Sequence, residues 1–228
     1  FAKKEALEIS YEHLEKITKL LISFFVRRNT TDKPATRDLT RIFMELSVKI
    51  PSLRGDVIFD EVCEKLVSVS ADDETFIKDL SGNLYEDNKS VCRYVLCALE
   101  QSRMTRETER DLWALKGKQF SWTIEHVFPQ GENIPTSWVK MMANDDEELA
   151  KEYRETHVHK LGNLTISGYN STLGTKSFIE KRDRTDQKGL NVGYNNGLYL
   201  NQKLINSDNW SIEQIDERTQ ELVNQILD

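Results

Sequence analysis

No stretch of this 228-residue chain approaches the roughly 20 consecutive apolar residues that a membrane helix needs, and no signal-peptide pattern opens it. No membrane partner is expected, and the expected location is cytoplasmic. Cysteine is scarce. Cys63, Cys92 and Cys97 form no C-x-x-C pair, which speaks against a zinc ribbon, and an odd count in helical context reads as reduced, buried thiols. Positive charge is also in deficit: 31 basic against 38 acidic residues leave −7. That argues against a protein that coats nucleic acid through its overall field, but not against a nuclease, whose local field matters more. The chain opens at Phe1 rather than Met and is expected to be a piece of a longer protein.

What is present first is helical periodicity. Leu7, Leu14, Ile17, Leu21 and Phe24 recur at helical spacing, widened by Leu20 and Phe25, until "NTTDKP" breaks the pattern. A second stripe carries Leu39, Ile42, Phe43, Leu46 and Ile50, ending before Pro51, and a third carries Val57, Ile58, Val62 and Leu66. Asp72 or Asp73 caps a short helix that stops at Gly82. Val91, Val95, Leu96 and Leu99 mark another, and "TRETERDLWALKG" reads as a connecting helix. His13 falls in a helical stretch and reads as structural. The expected organisation is a helical scaffold over residues 1–117 and a second domain over 118–228.

The texture changes near Gly117. "FSWTI" is strand-like, "GENIPTSW" turn-rich and "DEELAKEYRETH" helical, with "NDDEE" (144–148) a solvated helix start. "NLTISGYN" is a short strand and a loop, "LGTKSFIEKRDRT" a helix with a basic face, and "GLNVGYNNGLYLNQ" irregular. Ser211 with Gln214 forms a capping box for a last helix striped with Ile212, Ile215, Leu222 and Ile226. From Arg154 to Lys188 seven basic residues face four acidic ones, so this stretch is +3 inside an acidic chain. The fold class is mainly α with a small β component.

The second half therefore offers strand, long insertion, strand, helix, with "TIEHVFPQ" (123–130) at the end of the first strand. Phosphodiester hydrolysis needs an activated water, neutralised phosphorane charge and a stabilised leaving oxygen. One histidine and one hard divalent cation can supply all three. Mg²⁺ takes oxygen ligands and keeps several waters. The Glu125 carboxylate and the Asn170 side-chain oxygen suit it, and His126, with an unperturbed pKa near 6.5, suits a general base. Glu125 and His126 point to opposite sides of an extended backbone, unless a twist or bulge at the strand end brings them to one cleft. By itself E-H-x-x-P would arise by chance in a chain of this length roughly 2% of the time. It gains weight from "HKLGNLTISGYN" (159–170), with Asn163 and Asn170, and from "SFIEKR", which puts Phe178 and Lys181 on the next helix. His157 and His159 flank the second strand, and His159 is the better placed of the two to touch phosphate or metal. Trp122, Trp138 and Trp210 read as core residues.

"TIEHVFPQ … HKLGNLTISGYNSTLGTKSFIEK" resembles the HNH (ββα-metal, His-Me finger) nuclease motif. More narrowly, it is similar to the C-terminal domain of GmrSD-type, modification-dependent (type IV) restriction endonucleases. "NWSIEQIDERTQELVNQIL" resembles that family's W-x-x-x-x-I-x-x-R helix. The resemblance implies an N-terminal helical bundle, then a ββα-metal nuclease core and a C-terminal helix. It implies a catalytic pair in which His126 is the general base and Asn163 braces the hairpin loop. It further implies Glu125 and Asn170 as ligands of Mg²⁺ or Mn²⁺, with Asn170 standing where the literal pattern has its last histidine. Lys181 matches the trailing basic residue, a phosphate contact. With Lys160, Lys176 and Arg182 it makes the expected DNA-binding set. The implied activity is metal-dependent cleavage of double-stranded phage DNA in a defence system. The implied partner is a nucleotide-hydrolysing sensor domain, whose motifs this chain does not carry. The alternative is a degenerate HNH-like domain that binds DNA or a partner protein without cleaving.

Overall fold

The computed structural model describes residues 2–5 and 8–227. Leu7, expected to begin the first apolar stripe, lies outside the described residues. The chain divides between Asp79 and Leu80 into two compact units. In the first, a short helix α1 (Ala2–Glu5) precedes α2 (Tyr11–Thr31), α3 (Thr36–Lys49), α4 (Asp56–Val69) and α5 (Asp73–Leu80, whose last residue belongs to the second unit). Their start and stop signals are local. The Ser10 hydroxyl accepts the His13 N–H while His13 Nδ1 accepts the Ser10 N–H, so His13 is a capping residue. Asp32 ends α2 in the left-handed region at φ 52°, and Asp72 Oδ1 accepts the Thr75 N–H at the start of α5. The apolar stripes meet at Phe24, Ile42, Leu46, Val62 and Leu66, with Leu20, Leu21, Leu39, Phe43 and Ile50 packed round them. Each fully buried side chain contributes about 1.5–3 kcal/mol.

The second unit holds α6 (Leu84–Asp87), α7 (Lys89–Gln101), a short hairpin β1 (Leu115–Lys116) and β2 (Gln119–Phe120), and then β3 (Thr123–His126). After it come α8 (Thr136–Ala143), α9 (Glu147–His157), β4 (Leu164–Ser167), α10 (Asn170–Leu173), α11 (Phe178–Arg182), α12 (Gln202–Ile205) and α13 (Ile212–Leu227). The chain is thus mainly helical, with two two-stranded antiparallel sheets among the described residues. The compact units divide at 79/80, so α6 and α7 fall in the same unit as the hairpin. Arg93 of α7 donates to the carbonyls of Leu112 and Trp122, both at 2.6 Å, and the buried Glu100 accepts the N–H groups of Tyr199 and Leu200. These side chains make α7 part of the second core.

Three local expectations are corrected. "TRETERDLWALKG" is a run of turns leading into β1, because Thr108 Oγ1 accepts the Thr105 N–H and Asp111 Oδ1 the Trp113 N–H instead of continuing a helix. "TSWVKMMA" is helix α8, entered from Pro135. The basic-faced helix shrinks to the five residues of α11. Beyond it the backbone folds back, with Tyr194 and Asn195 N–H groups bonding the Lys181 and Arg182 carbonyls.

β3 pairs with β4 in the register Thr123↔Ser167, Ile124↔Ile166, Glu125↔Thr165, His126↔Leu164. The core beneath is Val127, Phe128, Trp138, Met142, Leu173, Phe178, Tyr194, Leu204, Trp210 and Ile215. Trp138 and Trp210 are fully buried, as expected of core residues, and the Phe178 and Trp210 rings stack at 5.7 Å. Helix α13 locks the entry to β4. The buried Arg218 donates to the carbonyls of Gly162, Leu164 and Leu200, and Thr219 Oγ1 accepts the Gly162 N–H. A Cβ on Gly162 would lie 1.9 Å from the Ile215 carbonyl oxygen, so α13 can sit here only against glycine. Ser211 makes half of its expected box: its N–H donates to Gln214 Oε1, while its hydroxyl turns to Glu213. The thiols are free, with Cys92 and Cys97 buried as expected.

Candidate active site

The site is built on the loop that follows β3. Asn163, fully buried in a 3-10 turn before β4, accepts the Phe128 N–H at 2.8 Å and donates to the carbonyls of Phe128 and Val158, both at 3.0 Å; its own carbonyl accepts the Val127 N–H at 2.9 Å. Every polar atom of that side chain is used on backbone. Asn163 therefore braces the loop behind His126 and has no atom free for substrate. This is the bracing part expected of it, and it acts as a positioning residue.

His126 ends β3 and is 6% exposed. Its Nε2 lies 3.3 Å from Nδ1 of His159, and the edge of the Tyr85 ring packs on it at 4.6 Å between centroids. Tyr85 also stacks on His159 at 5.3 Å, and its N–H donates to the His159 carbonyl. Burial, then the charges of His159, Lys181 and Lys89, push the His126 imidazole down to about 3. The expected pKa near 6.5 gives way to a ring that is neutral at physiological pH. His159 is held low chiefly by burial as well. In a neutral pair one nitrogen must donate. When His126 Nε2–H donates to His159, His126 Nδ1 keeps the lone pair, and among the described residues nothing bonds it.

Glu125 takes the opposite face of the strand. Pairing stays regular through His126, so no bulge brings the two side chains together. Glu125 Oε1 accepts from Lys181 Nζ at 2.7 Å and from the Tyr194 hydroxyl at 3.3 Å. Lys181 Nζ also donates to the carbonyls of His126 at 2.7 Å and Val127 at 3.0 Å. Three acceptors match the three N–H bonds of an ammonium; a neutral amine would lack one. Burial raises the Glu125 carboxyl and lowers the Lys181 ammonium, and their direct contact opposes both shifts. Lys181, expected as a phosphate contact, is 1% exposed, because it lies one turn after the core residue Phe178 on the same side of α11. Gly193 makes the Tyr194 contact possible, since a Cβ there would lie 2.2 Å from the Lys181 carbonyl oxygen.

Asn170 starts α10 immediately beyond β4. Its Nδ2 donates to the Ile124 carbonyl at 2.6 Å and to Thr123 Oγ1 at 3.2 Å. That fixes the amide with its carbonyl oxygen unengaged by any described residue, as is Glu125 Oε2. Among the described residues no group of three or more His, Cys, Asp or Glu side chains is placed to hold a metal. Glu125 Oε2 and Asn170 Oδ1 are oxygen donors of the kind a hard cation takes, and not the nitrogen and sulfur set of a zinc site.

The remaining basic residues are distributed differently from the expectation. Lys160 is drawn to Asp216 of α13 at 2.7 Å. Arg182 is held by Asp183, Asp208 and the Ser207 carbonyl. Lys176 is partly buried, and its carbonyl accepts Trp138 Nε1–H. Tyr85 and Tyr194 were not identifiable from the sequence: Tyr85 carries no local signal, and Tyr194 is marked only by the glycine before it.

No helix among the described residues is long and apolar enough to cross a membrane. A search of curated proteins found no match. Residues 70–225 match the family model of the C-terminal domain of GmrSD restriction endonucleases. This span takes in the hairpin, its Asn163 brace, Asn170, Lys181 and the Trp210–Ile215–Arg218 helix. The chain belongs to the GmrSD restriction endonuclease C-terminal domain family, which implies a nuclease module of a restriction system with DNA as its substrate.

Proposed function

We propose that this module hydrolyses DNA phosphodiester bonds with His126 as general base, and that Glu125 Oε2 and Asn170 Oδ1 hold one Mg²⁺ or Mn²⁺. The observation that carries this reading is the orientation of His126. His159 takes Nε2, Tyr85 packs the ring edge-on, and the Asn163 brace fixes the loop behind it. With Nε2–H donating to His159, Nδ1 is the lone pair left to take a proton from an attacking water. A phosphate in the site would add negative charge beside the ring and raise its proton affinity from the low value that burial sets. The cation, when bound, neutralises charge on the phosphorane and stabilises the leaving oxygen. Lys181 keeps Glu125 ionised and turned so that Oε2 stays available. The proposal extends to cytoplasmic defence against phage, with a nucleotide-hydrolysing sensor domain as partner.

Two observations favour the second reading, a domain that binds DNA without cleaving it: the Lys181 ammonium already neutralises the Glu125 carboxylate, and Glu125 takes the opposite face of β3 from His126. Plasmid nicking by the full chain in Mg²⁺ or Mn²⁺ separates the two. Nicking that EDTA stops supports the nuclease. DNA binding without nicking in either metal supports the second reading, and undiminished nicking in EDTA removes the metal from the account.

A further inference from the structure

The residues expected to grip DNA are largely committed elsewhere, so another source of positive charge must meet the phosphates. Two cations outside that set face the histidine pair. Lys89, the first residue of α7, places Nζ 4.9 Å from the centroid of the Tyr85 ring, the same ring that packs on His126 and stacks on His159. Its charge is felt at both histidines. Arg154 of α9 acts on His159 as well. Its Nη1 donates to the carbonyl of Gln130, in the loop that Asn163 braces, at 3.2 Å, and its buried Nε has no acceptor. Among the described residues neither Lys89 nor Arg154 enters an ion pair, in contrast to Lys160, Lys181 and Arg182. One exposed carboxylate, Glu86, also faces His159.

We propose that Lys89 and Arg154 are the backbone-phosphate contacts of this site, holding DNA over the His126–His159 pair without reading its sequence. The inference rests on the nuclease reading for its substrate. Lys89 arrives on the helix that expectation placed in the scaffold, and Arg154 on the insertion between the strands, so the two come from different segments. A lysine over an aromatic ring presents a point charge, and the Nη groups of an arginine suit phosphate oxygens.

The test is DNA affinity of the full chain, measured by fluorescence anisotropy against salt, in EDTA and on a His126→Ala background so that cleavage does not enter. Each phosphate contact contributes about 0.9 to the slope of log affinity against log salt. Lys89→Gln and Arg154→Gln should each flatten the slope by about that amount. Affinity should fall by about eightfold at 0.1 M salt, if the contact contributes nothing at 1 M, equally for unrelated sequences. Lys89→Arg and Arg154→Lys should restore most of it, which a purely structural role would not predict. Unchanged slope in both glutamine variants overturns the proposal, as does a parent chain whose DNA affinity does not depend on salt. A loss confined to one sequence overturns it too. The nuclease reading fails on a different result, namely DNA binding by the parent chain without nicking in Mg²⁺ or Mn²⁺.

Discussion

Lys181→Met is the most informative single change in the second unit. Methionine keeps the length of the side chain and its fit beside Phe178 but removes the ammonium. Glu125 would then be a buried carboxylate with only Tyr194 as partner, and the carbonyls of His126 and Val127 would lose their donor. Removing one member of a buried ion pair costs about 3–5 kcal/mol. Each orphaned carbonyl adds up to about 1–3 kcal/mol, less where it shares in the same relaxation. Against a domain stability of about 5–15 kcal/mol, the variant should be at the edge of folding. Urea denaturation followed by tryptophan fluorescence reads this directly, since Trp138 and Trp210 are both in that core. Glu125→Gln, which leaves the ammonium an oxygen acceptor, should cost less than half as much. A Lys181→Met chain within about 0.5 kcal/mol of the parent, the range of ordinary surface changes, would refute the buried pair and return Lys181 to the solvated face expected from its sequence context.

Asn163→Ala should destabilise the second unit by about 2–4 kcal/mol, from buried backbone groups left without partners, and should lower activity only through a displaced loop; a loss of activity at unchanged stability would contradict the positioning role. Gly162→Ala should push α13 away from the turn before β4 and cost at least the roughly 1–3 kcal/mol typical of overpacking, seen as a lowered urea midpoint. Asn170→Ala should raise the Mg²⁺ concentration needed for half-maximal nicking, while Asn170→Asp should keep or lower it, and equal metal dependence in both would remove Asn170 from the ligand set.

The parts of this fold legible in the sequence are those whose cause is local. Helices α2, α3, α4, α7 and α13 announce themselves through a repeated apolar face, and the start of α5 through capping chemistry at Asp72 that needs only neighbours. The hairpin was legible because "FSWTI" and "NLTIS" are β-prone runs. Lys181 was not, because whether a lysine in a basic stretch meets solvent depends on a carboxylate 56 positions earlier in the chain. The same holds for His159 and Tyr85, which reach His126 from distant segments. The place of α7 in the second unit has a related cause. Arg93 and Glu100 look like the polar side of an ordinary bundle helix, yet both are buried on backbone of the second unit.

The central claim is that His126 takes the proton of the attacking water. Single-turnover nicking of plasmid DNA by the full chain and by His126→Ala, in Mg²⁺ and at matched DNA occupancy, tests it most directly. A general base contributes about 10²–10⁴-fold, so the variant should bind DNA and take up the parent fold while nicking slower by that factor. Nicking by a folded His126→Ala chain at close to the parent rate would contradict the account.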